Sequence, residues 1–228
     1  MPTETRAKTA EKMKIVTIDG PAASGKTSVS RELARRLGWK WVSTGAFYRG
    51  LAYVADRLMC DISNEEALSE LARSNKWSVR MDDDNTKVFL GAEDVTEKIF
   101  QEHVGSIASK VSHFPKVREA LLEPQRACAK NVPGLVAEGR DCGTVVFPDA
   151  QVKIYVTASQ ESRAERRSKD LGLSVAETHA AQVQRDQQDS TRKAAPLSVP
   201  PNAFVIDNTD LSLDQAVSII EAHVKKNL

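Results

Sequence analysis

Short apolar runs alternate with longer amphipathic stretches along the chain, and turn-forming residues fall between them. Strands are predicted over residues 14–19, 40–43, 135–138, 152–157 and 204–207. Four of them are short apolar runs, as expected of a parallel sheet covered on both faces. Helices are predicted over 25–37, 46–58, 65–75, 96–111, 115–131, 159–171, 174–192 and 212–226. This order predicts an α/β fold built on a doubly wound parallel sheet.

One stretch departs from the alternation. Trp77 to Met81 and Thr86 to Gly91 each read with period two, and the polar residues 82–85 lie between them. That is a hairpin signal, and it falls between helical segments rather than inside a strand–helix–strand unit. A single domain over 13–228 is therefore expected to carry an inserted small lobe at about 61–111 and a helical lid at about 159–193. The three consecutive Asp residues 82–84 are read as a solvated turn rather than a metal site. Residues 194–201, with Pro196, Pro200 and Pro201, form a stiff connector to the last strand.

Composition narrows the function without naming it. The 228 residues are 41% hydrophobic and 28% charged, with 32 Lys and Arg against 31 Asp and Glu. A net charge of +1 gives no bulk attraction for nucleic acid, so any basic function is local. Cys60, Cys128 and Cys142 form no paired motif, which argues against a disulfide framework or a zinc site. No apolar run approaches the length of a membrane span. Residues 1–12 are polar, lack the apolar core of a secretory signal, and are expected to form a disordered tail. A cytoplasmic protein is the expectation, and a monomer is expected with it.

The strongest chemical signal is Gly20-Pro21-Ala22-Ala23-Ser24-Gly25-Lys26-Thr27-Ser28, placed directly after the first strand and before a helix. This is the G-x-x-x-x-G-K-[ST] phosphate loop in its required context. Its backbone N–H groups and the helix terminus are suited to cradling phosphates. Lys26 would reach the β- and γ-phosphates of a nucleoside triphosphate, and Thr27 would offer its hydroxyl to Mg²⁺. GTPases, motor ATPases and small-molecule kinases share this loop, so the remaining residues must identify the acceptor.

Arginines at strand ends and on later helices suggest one. Thr44 to Arg49 follow the second strand, and Arg140-Asp141 follow the third, where open α/β sheets bind ligands. Arg donates two parallel hydrogen bonds to a phosphate. Taken alone, Arg49 reads as a surface residue and Arg140-Asp141 as a local ion pair. Their position beside a phosphate loop favours a second phosphate site. Arg163, Arg166 and Arg167 lie on overlapping faces of a predicted helix, and Arg185, Asp189 and Arg192 share one face of the next. A mobile lid carrying such arginines would cover the transferring group and expel water. The competing reading is a pair of solvated helices held by ion pairs.

Six motifs in order give a family resemblance that runs from about Met13 to the C-terminus. They are I-D-G-P-A-A-S-G-K at 18–26, T-G-A-F-Y-R at 44–49, G-A-E-D-V-T at 91–96, F-P-K-V-R at 114–118, A-E-G-R-D-C-G-T-V-V-F-P-D-A at 137–150 and R-D-x-x-D-x-x-R at 185–192. Together they resemble the bacterial cytidylate kinases. The resemblance implies transfer of the γ-phosphoryl of ATP to CMP or dCMP, with Mg²⁺. It further implies Arg49 and Arg140 on the acceptor phosphate, with Arg192 reaching it from the lid. Ser109, Arg118 and Asp141 would read cytosine, Arg185 and Asp189 would hold the sugar, and Thr44 would line the acceptor site. Lys26, Arg163 and Arg192 are the expected catalytic cations. A carboxylate accepts from the exocyclic amine of cytosine, whereas uracil presents a carbonyl there. The chain departs from the family pattern at Ser43, where Asp is frequent, and at Cys142, where Met is common. Other acceptors such as UMP or shikimate, and a GTP-dependent switch protein, are the rival readings; no convincing N-K-x-D guanine reader is present.

Overall fold

A computed structural model describes residues 13–82, 85–172 and 174–228. The expected tail at 1–12, residues 83 and 84 of the acidic turn, and residue 173 lie outside the described residues. Five strands, β1 (Ile15–Asp19), β2 (Lys40–Ser43), β6 (Leu135–Gly139), β7 (Val152–Thr157) and β8 (Phe204–Asp207), form one wholly parallel sheet in the order β2-β6-β1-β7-β8. This is the expected doubly wound architecture.

Alternation along each strand builds two hydrophobic layers. Val16, Ile18, Val136 and Trp41 face one way and pack beneath α1 (Lys26–Leu37) and α8 (Leu213–Asn227), against Val29, Leu33, Val217 and Ile220. Val42, Leu135 and Ala137 face the other way, beneath α2 (Gly45–Arg57) and α5 (Pro115–Ala127). Successive strand residues point to opposite faces, so a strand buried on both sides must be apolar throughout. Each fully buried Leu, Ile or Val contributes about 1.5–3 kcal/mol.

Between α2 and α5 the chain forms α3 (Glu65–Arg73), then β3 (Trp77–Met81), β4 (Thr86–Leu90) and β5 (Glu93–Asp94), a small antiparallel sheet in that order. The hairpin of β3 and β4 is as predicted; β5, two exposed charged residues, carries no strand signal. The helix expected over 96–111 is a correction. Lys98–Phe100 form a single 3₁₀ turn, Gln101 adopts φ −58°, ψ 147°, and only then does α4 (Glu102–Val111) begin. Apolar Phe100, Val104, Ala108 and Val111 keep helix-like intervals of four, four and three residues across the break, which hides it from the pattern. The helix expected to reach 131 ends at Ala127, and Asn131 takes the left-handed φ of 61°.

The C-terminal part is α6 (Gln160–Leu171) and α7 (Val175–Ser190), each opened by a serine cap; Ser174 and Glu177 close a reciprocal capping box at α7. Register levels the strand ends: Ser43 lies opposite Glu138, Glu138 opposite Ile18, and Gly139 opposite Asp19. The loops after β1, β2 and β6 therefore leave the same edge of the sheet side by side.

Candidate active site

The loop after β1 is wrapped tightly enough to require its glycines. A Cβ on Gly20 would stand 2.1 Å from the carbonyl oxygen of Val156, and one on Gly25, at φ +88°, would stand 2.4 Å from Asn208 Nδ2. Helix α1 then starts at Lys26 with no side-chain cap and no acidic residue in its first turn. Its first N–H groups and positive dipole end face the loop, with neither a side-chain cap nor a first-turn carboxylate to satisfy them. The carbonyl of Ser24 is turned outward, accepting from Asn208 Nδ2 at 2.9 Å and Arg166 Nη1 at 3.3 Å. Lys26 is buried, with Nζ donating across the loop to the Pro21 carbonyl at 3.1 Å, while Thr27 and Ser28 are exposed.

This loop forms one end of a cavity of about 240 Å³, with Ala22, Ala23, Lys26 and Thr27 in its wall. The rest of its lining brings together Thr44, Arg49, Arg140, Asp141, Asp189 and Arg192, from three of the quoted motifs, and Ser109 of α4. Arg49 Nη1 donates to the Ile99 carbonyl at 3.0 Å, and its guanidinium lies 5.8 Å from the centre of the Phe100 ring. Arg140 donates from Nε to Asp189 Oδ2 at 2.8 Å and from Nη1 to the Gly20 carbonyl at 2.7 Å. Asp141 is ion-paired not with its neighbour but with Arg118 of α5, just behind the cavity wall. Arg118 also donates to the Ser112 carbonyl at 3.3 Å and stacks 5.3 Å from the Tyr48 ring centre. The local-pair reading of Arg140-Asp141 therefore gives way to two long-range pairs.

Arg192 donates from Nη1 to Ser112 Oγ at 3.2 Å and from Nη2 to the Ala195 carbonyl at 2.9 Å, while its buried Nε has no partner among the described residues. Burial holds its pKa below the ordinary arginine value. Ser109 Oγ is likewise buried and unpartnered. Arg163 is not brought to the cavity wall: it is buried behind the phosphate loop, donating to the carbonyls of Ala158 and Ala22, both at 3.2 Å, and to Asp186 at 2.5 Å. The side chain of Arg185 lies outside the described residues.

Glu138 and Tyr48 join the site without having been singled out, and Arg167, read earlier as a lid arginine, joins them. Glu138 lines the cavity at the end of β6; one carboxylate oxygen accepts from Ser43 Oγ, and Oε2 is buried with no partner among the described residues. Tyr48 lines the cavity, and burial pushes its pKa up to about 12. Arg167, also at the wall, donates to Glu102 at 2.5 Å and so ties α6 to α4 across the cleft. Glu138, Tyr48 and Arg167 all stand inside quoted motifs or charge clusters, but only the fold turns them inward. Cys142 is fully buried 3.4 Å from Thr44 Oγ1, and burial raises its thiol pKa well above the ordinary value. It packs and does not act as a nucleophile.

A parallel five-stranded sheet, a phosphate loop at its central strand and a cationic wall facing that loop define a P-loop kinase core. A solved gluconokinase from Sinorhizobium meliloti 1021 shares this fold, with a TM-score of 0.50 and 11% identity over 93% of this chain and 92% of that one. The family model described as cytidylate kinase matches residues 16–226. The chain is 58% identical to a cytidylate kinase of Bdellovibrio bacteriovorus, over 94% of this chain and 99% of that one. It is 43% identical to a cytidylate kinase of Shewanella loihica, over 94% and 95%. The chain belongs to the cytidylate kinase family, and it is a phosphotransferase. No helix among the described residues is long and apolar enough to cross a membrane.

Proposed function

We propose that this chain transfers the γ-phosphoryl group of ATP to CMP or dCMP, yielding CDP or dCDP. The observation that carries the reading is the one cavity lined both by Lys26 and Thr27 of the phosphate loop and by Arg49, Arg140, Asp141, Asp189 and Arg192. A triphosphate seated on the phosphate loop would point its terminal group at a monophosphate held by the arginines.

In this reading Gly20 to Ser28 bind the donor phosphates, and Lys26 neutralises the β- and γ-oxygens. Arg49 and Arg140 grip the acceptor phosphate, and Arg192 approaches it from the segment after α7. Arg163 would have to move from its place behind the loop to reach the transferring group, a motion suited to a lid. Asp141, paired with Arg118, presents a carboxylate to the exocyclic amine of cytosine, with Ser109 beside it. Uracil offers a carbonyl at that position and would set an acceptor against the buried carboxylate in place of a donor. Asp189, with Arg185 on the same helix, accepts from the sugar hydroxyls. The phosphate oxygen of CMP is already nucleophilic, so the protein's work is alignment and charge neutralisation rather than covalent catalysis.

The residues present fit Mg²⁺ carried in with the nucleotide. Thr27 is exposed at the cavity, the bare Oε2 of Glu138 faces no protein donor in the same wall, and no cluster of three or more acidic, His or Cys groups among the described residues forms a protein cage. Oxygen ligands shared with substrate phosphates are the usual setting for this ion. Thr27 would hold it, and its charge would offset that building on the transferring oxygens. A monomer acting in the cytoplasm completes the proposal.

A coupled ADP-release assay with ATP, Mg²⁺ and each of CMP, dCMP, UMP, AMP, GMP and shikimate tests it. Turnover with CMP and dCMP well above UMP is the expected result. Turnover confined to another acceptor overturns the substrate assignment, and tight ATP binding without turnover overturns the reaction.

A further inference from the structure

Asp19, the last residue of β1, is fully buried and touches neither end of the cavity. Its carboxylate accepts from two consecutive backbone N–H groups: Cys142 donates to Oδ1 at 2.8 Å, and Gly143 donates to Oδ2 at 2.7 Å. These amides directly follow Arg140 and Asp141. They open a single π-helical turn, Cys142–Val146, preceded by Asp141 at φ −145°, ψ 23°. The turn's own backbone bonds begin with the N–H of Val145, received by the Asp141 carbonyl at 2.9 Å. The first amides of a helical turn need a partner from elsewhere, and here the neighbouring strand β1 supplies it.

The fit leaves no slack. A Cβ on Gly143 would stand 2.8 Å from Thr17 Oγ1, 3.1 Å from Pro200 Cγ and 3.3 Å from Asp19 Oδ2, so the loop is seated directly on β1. The next residue along the chain adds a second grip, because the Gly20 carbonyl accepts from Arg140 Nη1. Residues 19 and 20, where the phosphate loop begins, thus hold both the backbone after Asp141 and the side chain of Arg140. A carboxylate in this place costs stability. Burial is the chief cause that lifts its pKa to about 7, the two amide bonds oppose the shift, and Asp141 adds repulsion. Only a carboxylate offers an acceptor to both amides at once; the isosteric Asn would turn an NH₂ group toward one of them.

We propose that Asp19 is a positioning residue for acceptor selection: it fixes the loop carrying Arg140 and Asp141 against the phosphate loop, and thereby sets the discrimination between cytosine and uracil monophosphates. This rests on the acceptor reading given above. It assigns no contact between Asp19 and any substrate.

The test is Asp19→Asn in the full chain, with two readouts. Amide hydrogen exchange on the unliganded protein at Cys142 and Gly143 is expected to accelerate at least tenfold, with exchange in α8 unchanged. Steady-state kinetics are expected to show the acceptor KM raised at least tenfold and the CMP-over-UMP preference reduced, while the ATP KM stays within about threefold. A purely structural role would lower active enzyme without moving that preference. Unchanged exchange, or raised KM values for both substrates with the preference intact, overturns the proposal. Should Asp19→Asn fail to fold, Gly143→Ala decides, since it lifts the loop while keeping the carboxylate: the same KM split supports the proposal, and wild-type preference contradicts it. If wild-type protein does not phosphorylate CMP, the acceptor reading fails, whereas the exchange experiment still judges the grip of Asp19 on the loop.

Discussion

Arg140 and Asp189 join β6 to α7 through an Nε to Oδ2 hydrogen bond of 2.8 Å, with the Asp189 side chain almost wholly buried. The bond ties the edge of the parallel sheet to the helix that closes over it, and both partners line the cavity. Ionised partners make this one of the stronger kinds of hydrogen bond.

Asp189→Asn is therefore predicted to act on the acceptor end alone. A hydrogen bond to a charged group contributes about 1.5–3 kcal/mol, so the acceptor KM should rise about ten- to a hundredfold. Arg140 keeps its bond to the Gly20 carbonyl, which limits any loss of fold. Steady-state kinetics with each substrate varied separately check this; a change confined to the ATP parameters contradicts it.

Arg118→Ala leaves Asp141 buried without its ion-pair partner. Stranding a buried charge costs up to about 3–5 kcal/mol, so a lower Tm is expected together with the kinetic effect. The diagnostic outcome is selective: kcat/KM for CMP should fall about a hundredfold and the preference over UMP should shrink. An intact preference among bases would remove Arg118 from base reading.

The pKa of Asp19 gives a pH dependence of definite sign. Its folded value of about 7 lies above the ordinary 3.8, so between about pH 4 and pH 7 the folded chain retains a proton that the unfolded chain has released. Stability from this group is full below pH 4, declines as the pH rises to 7, and is level above. The groups facing Asp19 are Asp141 and Cys142 of the acceptor loop and Tyr155 of β7. Asp19→Asn has no such proton, so the stability of the variant relative to wild type should climb across this window and then level off. Urea unfolding at pH 4.5, 5.5, 6.5 and 7.5 reads the trend, and a difference independent of pH refutes it.

The sheet was legible because each buried strand had to be apolar on both faces, and Val16, Ile18, Leu135 and Val136 satisfy that within a few residues. The phosphate loop was legible because its glycines, lysine and hydroxyl are contiguous. The break before α4 was not, since Gln101 is neither Gly nor Pro and the apolar spacing continues through it. The pairing of Asp141 with Arg118 spans 23 positions, and that of Arg140 with Asp189 spans 49. Adjacent opposite charges in sequence suggest a local pair, and only the level strand ends and the helices above them redirect each partner. Asp19 was hidden for a related reason: a carboxylate at a strand end gains meaning only when two amides from another loop are brought to it.

The most direct measurement follows the label from [γ-³²P]ATP in the presence of CMP and Mg²⁺, with wild-type protein and Lys26→Ala compared side by side. The account predicts labelled CDP from wild type and a loss of about a thousandfold or more in the variant, which gives up the Lys26 hydrogen bond to the Pro21 carbonyl but keeps its fold. Label released only as inorganic phosphate, or labelled CDP formed equally well without Lys26, would contradict it.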